Sequence, residues 1–269
     1  MSLLYCQKRA SFIDALFYFT ASCAALLFSQ ASHAADISCQ TDRSDETVQI
    51  SRIHDGDTVW LADGRKIRII GINTPELARD NKPAEPLARQ ARDELRQLLD
   101  KQARIQLRYG TEKTDRYGRL LAHLFLDNGQ NVSEWLLRRG LAFSLTVPPN
   151  LWQADCYQRA EQQARAQQQG LWSTKYVHIQ QADKLSSNTR GFQIIRGRVE
   201  RIGHSRKTIW INFNQQFALR ILHQDLSYFA SVNFEKLIGK QLEVRGWVQY
   251  HKRQLRMRIR HPAAMRVLP

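Results

Sequence analysis

A short segment of the chain, residues 55–76, carries side chains that suit metal-assisted cleavage of a phosphodiester bond. Arg68 stands in an otherwise apolar run and offers a guanidinium for a phosphate. Oxygen-bearing side chains suit a hard divalent cation, and an ionisable acid beside them suits activation of water. The residues with these groups are Asp55, Asp57, Asn73, Thr74 and Glu76.

The same segment predicts the element that gathers these side chains. Asp63-Gly64 lies between two runs rich in apolar and β-branched residues, which is a strong signal for a β-hairpin. A hairpin there returns the second strand alongside the first. We therefore expect Asp57 and residues 73–76 to face each other at one end of the hairpin.

The segment also resembles the staphylococcal nuclease family, whose pattern runs D-G-D-T, an inward arginine, then D-T-P-E. Further motifs of that family follow in the same order, and the resemblance covers about residues 47–173. It implies an endonuclease that hydrolyses DNA or RNA with calcium as cofactor and leaves 3′-phosphate ends. The later motifs are Asp115-Arg116-Tyr117-Gly118-Arg119, Asn131-Val132-Ser133-Glu134, Gly140-Leu141-Ala142 and Gly170-Leu171-Trp172-Ser173.

The calcium site implied by this resemblance has three protein ligands, namely Asp57, Asn73 and the backbone carbonyl of Thr74. The family usually has aspartate where this chain has Asn73. Asparagine still offers a carbonyl oxygen, but the site loses one formal negative charge. We therefore expect weaker calcium binding, or a stronger dependence on the substrate phosphate to complete the shell.

The resemblance assigns the catalytic steps to Glu76, Arg68 and Arg119. Glu76 matches the residue that positions and deprotonates the attacking water, and the two arginines match the groups that hold the phosphate. Asp55 matches an acid that hydrogen-bonds within the site. The family's tyrosines that pack against the nucleotide are absent from residues 143–147, so base preference does not carry over.

Other functions stay open at this point. Taken singly, Asp55 and Asp57 fit an ordinary acidic turn and Arg119 fits a surface charge; their joint occurrence favours a site. A nucleic-acid-binding protein with a weakened or inactive nuclease site is the first alternative, which Asn73 favours. A phosphodiesterase for small or lipid phosphates is the second, and the basic character of the chain opposes it.

The first 34 residues have the pattern of a signal peptide. Lys8 and Arg9 precede an apolar stretch, and Ser32-His33-Ala34 is a small-x-small cleavage site. Cleavage predicts a periplasmic or secreted protein without stable membrane association. Because Asp14 interrupts the apolar stretch, an uncleaved N-terminal anchor is the alternative.

Two cysteines remain beyond the predicted signal peptide, Cys39 and Cys156. An even pair in an oxidising compartment predicts a disulfide. The alternative is two independent buried thiols.

The hydrophobic patterns predict an α+β to mainly β chain with two small barrels. Residues 35–173 are expected to form a five-stranded OB barrel with packed helices over residues 83–100, after Asn131 and over residues 153–169. Residues 174–190 read as a linker. Residues 191–269 are expected to form a second, OB-like barrel with β-like runs at 192–202, 208–214, 217–222, 241–250 and 254–259 and a helix at 225–237.

Positive charge is concentrated in the second half. Residues 190–269 hold 16 Lys and Arg against four Asp and Glu, a net charge of +12. This asymmetry predicts a nucleic-acid-binding module. We expect the protein to be a monomer. The alternative is that the module docks a protein partner or the nuclease part itself. The predicted phosphate-binding residues are Arg196, Arg198, Arg256, Arg258 and Arg260, with Trp210, Phe213 and Trp247 either stacking on bases or lying in the core.

Overall fold

The computed structural model describes residues 38–100 and 104–269, so the predicted signal peptide lies outside the described residues. The described chain combines β-sheets with α-helices, which agrees with the α+β class expected from the sequence. Among these residues, we find no helix long and apolar enough to cross a membrane.

The N-terminal part, residues 38–173, is built around a six-stranded sheet in the order β1-β6-β7-β4-β3-β2, and β5 pairs separately with β8. The hairpin predicted at Asp63-Gly64 joins β3 to β4, and Gly64 has the positive φ of 88° that this turn requires. The strand bounds are β1 (Glu46–Val48), β2 (Ile50–Ile53), β3 (Thr58–Leu61), β4 (Lys66–Ile69), β5 (Ile72–Asn73), β6 (Ile105–Thr114), β7 (Leu120–Phe125) and β8 (Phe143–Ser144).

The helices cover this sheet and close its core. Asn131 caps the second helix by accepting a hydrogen bond from the Glu134 N–H at 3.0 Å, as its sequence predicts. The first helix begins at Ala88, five residues later than predicted, because Leu87 has a positive φ of 64° and Glu85 is bonded to the Glu76 turn. The helices are α1 (Ala88–Asp100), α2 (Val132–Arg138) and α3 (Ala154–Ala166).

A disulfide joins Cys39 to Cys156, with an S–S distance of 2.11 Å. It is the pair anticipated from the sequence, and it ties the segment before β1 to α3. The backbone of Cys39 is also held by α2, because its N–H donates to Glu134 at 2.7 Å and its carbonyl accepts from Asn131 at 3.0 Å. The start of the described chain is thus fixed to two helices.

The C-terminal part, residues 174–269, forms a second sheet in the order β11-β12-β13-β15-β14-β10-β9, with β16 beside β14. Its first six strands repeat the pairing of β2-β3-β4-β7-β6-β1, including one parallel pair at the same place. The bounds are β9 (Ile179–Gln181), β10 (Gly191–Arg198), β11 (Arg201–Ser205), β12 (Thr208–Asn212), β13 (Phe217–Leu222), β14 (Gln241–His251), β15 (Gln254–Arg258) and β16 (Met265–Val267).

Three local expectations for this part differ from the structure. The segment predicted as a linker contains β9. This strand pairs in parallel with β10, which lies outside the segment, so the sequence of the segment alone does not indicate it. The run at 192–202 is divided between β10 and β11. The helix expected at 225–237 is replaced by short 3-10 turns, and Ser231, Val232 and Asn233, which have low helix propensity, separate them.

The two parts meet through a mixed apolar and charged interface. Phe143 stacks on Phe192 at 5.5 Å and meets Trp172 edge-on at 5.4 Å. We call these residues, with Ala164 and Ile194, the shared cluster. Two salt bridges cross beside it: Arg165 binds Glu243 at 2.7 Å, and Arg245 binds Glu161 at 2.6 Å.

Candidate active site

Asp57 lies at the start of β3 and faces the turn that follows β5, as the hairpin predicted. Its Oδ2 accepts hydrogen bonds from the Thr74 backbone N–H at 2.9 Å and from the Thr74 hydroxyl at 3.1 Å. Its Oδ1 accepts from the Thr58 hydroxyl at 3.1 Å. Asp57 as a whole residue is 7% exposed, so these bonds fix its carboxylate in a largely dry position.

Gly56 allows the two turns to approach this closely. A Cβ atom at Gly56 would lie 2.7–2.9 Å from three side-chain atoms of Thr74. The Thr74 side chain is β-branched and bonded to Asp57, so it has little freedom to move away. The D-G-D spacing therefore has a steric reason at its central residue.

Arg68 points from β4 into the same site. Its guanidinium donates to the carbonyls of Ile69 at 2.7 Å and Ile72 at 2.9 Å, and its Nη2 lies 3.1 Å from the Asp57 carboxylate. The side-chain oxygen of Asn73 is 3.4 Å from the same nitrogen. Arg68 is thus preorganised by two backbone carbonyls, and it marks the point on which Asp57 and Asn73 converge.

Asn73 is held by the two-stranded sheet. It pairs with Phe143 across β5 and β8, and the neighbouring Ile72 pairs with Ser144. Asn73 is 6% exposed. The position of this side chain is therefore set by β8 as well as by its own turn.

Glu76 stands two residues beyond Thr74 and remains accessible to solvent. Its N–H donates to the Glu85 carboxylate at 3.0 Å, and its carbonyl accepts from the Glu85 N–H at 2.9 Å. Partial desolvation, with the negative charges of Asp57 and Glu85, raises the pKa of Glu76 above its usual value. A carboxylate of raised pKa is a better proton acceptor from water than an ordinary one.

Asp55 supports the turn from behind. Its Oδ1 accepts the Asp57 N–H at 3.0 Å, which orients the backbone that carries the Asp57 carboxylate. Burial and the charge of Asp57 raise the pKa of Asp55.

Arg119 directly precedes β7, the strand that pairs with the strand of Arg68. The parallel register pairs Arg68 with Leu121. Asp115 binds the Arg119 guanidinium at 2.7 Å and accepts its backbone N–H at 3.0 Å. Tyr117, 68% exposed, lies beside it with the guanidinium 5.5 Å from the ring centroid.

The donor set suits a hard divalent cation. Asp57 and Asn73 contribute a carboxylate and a carboxamide oxygen that converge on one point, and the Thr74 backbone is fixed by its bond to Asp57. Among the described residues, no group of three or more His, Cys, Asp or Glu gathers as a metal site. The candidate set is of another kind, because Asp57 is its sole titratable side chain.

The five predicted phosphate-binding arginines of the C-terminal part differ in their surroundings. Arg196 pairs with Glu243 at 2.9 Å, while Arg258 and Arg260 pair with the buried Asp225 at 2.8 and 3.5 Å. Arg198 is exposed and donates to the Gly239 carbonyl at 2.7 Å. Arg256 lies over the Trp210 ring at 4.8 Å.

The three aromatic residues of uncertain role also separate. Phe213 is a core residue, 3% exposed and packed on Phe217. Trp210 is half-buried, and Trp247 is 44% exposed. Two of the three rings are therefore accessible to a partner.

Sequence reasoning missed the residues that support the site. Asp115 was visible as the first residue of its motif, but nothing in the sequence showed that it binds Arg119. Glu85 lies in an irregular loop, and its bond to Glu76 depends on the fold. Glu161 lies on α3 and Arg245 on β14, and their contact has no local sequence signal.

Part of this chain, including most of the candidate site, matches a known protein family. The family model described as "Staphylococcal nuclease homologue" matches residues 66–174. The matched range contains Arg68, Asn73, Thr74, Glu76 and Arg119, whereas Asp55 and Asp57 precede it.

Individual relatives match about half of the chain. The thermonuclease of Staphylococcus hyicus is 32% identical over 136 residues, covering 49% of this chain and 79% of that protein. The thermonuclease of Staphylococcus intermedius is 35% identical with the same coverage. Endonuclease YncB of Bacillus subtilis (strain 168) is 32% identical over 131 residues, covering 47% of this chain and 61% of that protein.

Proposed function

The chain belongs to the staphylococcal nuclease family and is an endonuclease that hydrolyses phosphodiester bonds, and from this premise we propose that it is an exported, calcium-dependent enzyme that cleaves DNA or RNA and leaves 3′-phosphate ends. The observation that carries the proposal is the convergence of Asp57, Asn73 and Arg68 at the end of one hairpin. An oxygen-rich site beside a fixed guanidinium suits an anionic diester.

In this proposal Asp57, Asn73 and the Thr74 carbonyl hold calcium. Bound calcium supplies positive charge that offsets the charge of the phosphate and of the transition state. Thr58 and Thr74 orient the carboxylate of Asp57 for this role. Asp55 keeps the turn in place through the Asp57 N–H.

The remaining steps belong to three side chains. Glu76 accepts a proton from the attacking water, and its raised pKa supports that role. Arg68 and Arg119 bind the phosphate oxygens and hold them more strongly as negative charge develops. The carbonyls of Ile69 and Ile72 orient Arg68, and the carboxylate of Asp115 orients Arg119.

Export is supported by the disulfide between Cys39 and Cys156. Such bonds persist in oxidising compartments and are rare in the cytosol. The predicted signal peptide over residues 1–34 points the same way.

The C-terminal part serves, in this proposal, as an OB-like module that binds the polymer. Its strand order repeats that of the N-terminal sheet, which supports the OB-like assignment. OB folds bind nucleic acid on the second and third strands and on the loops of the first and last hairpins. Here those positions carry Trp210 and Arg220 on the strands.

The two hairpin turns of this module are strongly basic. Residues 206–207 are Arg-Lys and residues 252–253 are Lys-Arg, and all four side chains are exposed. Within the described part of the chain, no carboxylate forms a salt bridge with any of them. These four side chains, and separately Arg198 and Arg256, are better candidates for phosphate contacts than Arg196, Arg258 and Arg260, whose charge is balanced by Glu243 and Asp225.

Digestion assays test the enzymatic proposal. Protein beginning near Ala35 is incubated with plasmid DNA and with total RNA, in calcium, in magnesium or with a chelator, and the product ends are analysed. We expect calcium-dependent cleavage with 3′-phosphate ends. Activity that survives the chelator, or products with 5′-phosphate ends, contradicts the proposal.

The variant Glu76→Gln tests the base. It keeps the hydrogen-bonding shape of the side chain but cannot accept the proton, so turnover is expected to fall about 10²–10⁴-fold. Binding of an oligonucleotide is expected to stay unchanged. Glu85→Gln, which alters the neighbouring carboxylate, is the control and is expected to retain much more activity than the Glu76 variant.

A further inference from the structure

A buried carboxylate, Glu161, connects the two parts of the molecule. It is 4% exposed and lies on α3. From the N-terminal part it accepts the Ser144 N–H at 2.8 Å and the Ser144 hydroxyl at 3.0 Å. From the C-terminal part it accepts Arg245 at 2.6 Å through both oxygens, and Arg245 also donates to the Ser144 hydroxyl at 3.2 Å. We call Arg245, Glu161 and Ser144 the clasp.

The clasp holds the strand that supports the candidate active site. Ser144 lies in β8, opposite Ile72, and the preceding residue, Phe143, lies opposite Asn73. The next residue, Leu145, donates its N–H to the Gly71 carbonyl at 2.9 Å. Ser144 of the clasp and the residues on either side of it therefore contact the segment that carries Asn73.

The same segment orients Arg68. The Ile72 carbonyl accepts the Arg68 guanidinium at 2.9 Å, and the Asn73 side chain lies 3.4 Å from the same nitrogen. A shift of β8 would move both acceptors together. The clasp is thus linked to Asn73 and Arg68 through the short pair of strands β5 and β8.

We propose that Arg245 is a positioning residue of the nuclease site, which acts through Glu161, Ser144 and β8 to set the positions of Asn73 and Arg68. The inference rests on the roles proposed above for Asn73 and Arg68. The C-terminal part then has two roles: it binds the polymer, and through Arg245 it positions residues of the nuclease site.

Arg245 suits this task because it comes from the centre of a sheet. It lies in β14 opposite Ile194 of β10, a strand that runs into the shared cluster. Phe143, at one end of β8, is packed between Phe192 and Trp172 of that cluster. Strand β8 is therefore held at successive residues by an apolar contact and by a charged one.

Removing Arg245 leaves Glu161 buried beside Ser144 without its cation. An uncompensated buried carboxylate draws in water or a proton, and either change disturbs its bonds to Ser144. All three contacts come from one guanidinium nitrogen, Nη1, so lysine keeps both the charge and a single nitrogen donor, but its side chain is one atom shorter and reaches the carboxylate less fully. A graded series is therefore expected, with Lys intermediate between Arg and Met.

The test compares Arg245→Met and Arg245→Lys with the wild type and with Arg266→Met. Arg266 is an arginine of the same part that pairs with Glu243 at 3.4 Å and takes no part in the clasp. Three quantities are measured: calcium affinity by calorimetry, kcat and KM on a dinucleotide too short to reach the basic turns, and hydrogen exchange of the peptide covering residues 141–147.

For Arg245→Met we expect calcium affinity and dinucleotide kcat to fall roughly tenfold, the scale of a residue that orients metal ligands. Exchange is expected to rise over residues 141–147 while β6 and β7 stay protected. Arg266→Met is expected to match the wild type in all three measurements. Wild-type calcium affinity and wild-type exchange in Arg245→Met would overturn the proposal.

Two further outcomes are separated by design. If Arg245→Met does not fold, the double variant Arg245→Met/Glu161→Gln removes the stranded charge and is measured in the same way; loss of protection throughout the N-terminal part in that variant would also overturn the positioning role. If the wild type neither binds calcium nor cleaves the dinucleotide, the proposed function fails, while exchange over residues 141–147 still reports on the clasp.

Discussion

At the scale of single residues, the carboxylate of Asp57 is oriented before any ligand arrives. Two hydroxyls, one backbone N–H and one guanidinium surround it, and the turn that carries Thr74 is fixed by the same bonds. Such preorganisation lowers the reorganisation needed when charge develops nearby. The neighbouring Asn73 is the one proposed calcium ligand that departs from the family pattern.

Asn73→Asp is expected to lower the half-saturating calcium concentration on the order of tenfold, because the added charge strengthens the interaction with a hard cation. The measurement is a calcium titration of dinucleotide hydrolysis. Asn128→Asp makes the same chemical change on an exposed turn and serves as the control. An unchanged half-saturation point would remove Asn73 from the set of calcium ligands.

Gly56→Ala is expected to displace Thr74 and with it Asp57, because the new methyl group would sit 2.7 Å from the Thr74 side chain. Misplacement of a site by about 1 Å costs about 10²-fold in rate. The control is Gly203→Ala, where the nearest atom to the new Cβ is 3.6 Å away. Wild-type kcat in the Gly56 variant would show that the two turns can separate without loss.

At the scale of elements, the sequence predicted what local patterns encode. The Asp63-Gly64 turn, the helix after Asn131 and the strand expected at 254–259 each depend on near neighbours, and each is present. The helix expected after β13 was wrong because residues 231–233 have low helix propensity. The short strand β9 was missed because tertiary pairing decides it. The same limit applies to the site, where Asp57 and Arg68 were predictable and the contacts of Glu85 and Glu161 were not.

The disulfide is an element-scale constraint with a measurable effect. It closes a loop across a sequence separation of 117 residues, for which chain entropy gives about 5 kcal/mol of stabilisation. Cys39→Ala/Cys156→Ala is expected to lose up to about that free energy of unfolding in denaturant titrations. The reduced wild type is the matched control. Equal stability of the oxidised wild type and the double variant would contradict the expectation.

At the scale of the whole molecule, the two parts are joined by side-chain packing as well as by the connecting segment. The shared cluster joins Phe143 and Trp172 to Phe192. The salt bridge between Arg165 and Glu243 also joins the two parts. Burial alone would raise the pKa of Glu243, but hydrogen bonds and charge from Arg165 and nearby arginines lower that pKa to about 2. Separating the C-terminal part from the nuclease part is therefore expected to lower the stability of both.

The basic turns give the whole molecule a testable salt dependence. Replacing Arg206, Lys207, Lys252 and Arg253 with Gln is expected to lower the slope of log affinity against log salt by about 3, since each phosphate contact contributes roughly 0.7–0.9. Dinucleotide turnover is expected to stay unchanged. Arg89→Gln/Arg96→Gln, on the exposed side of α1, is the control. An unaltered slope in the fourfold variant would favour a solvated face over a nucleic-acid surface.

The long reach of the clasp also orders events in time. Ser144 and its partner Arg245 are 101 residues apart in the chain. At a synthesis rate of about 5–20 residues per second, roughly 5–20 s separate their emergence from the ribosome. Throughout that interval β8 lacks the contact that sets Asn73 and Arg68. On the proposal made above for Arg245, the candidate site therefore reaches its full geometry only after residue 245 has left the ribosome.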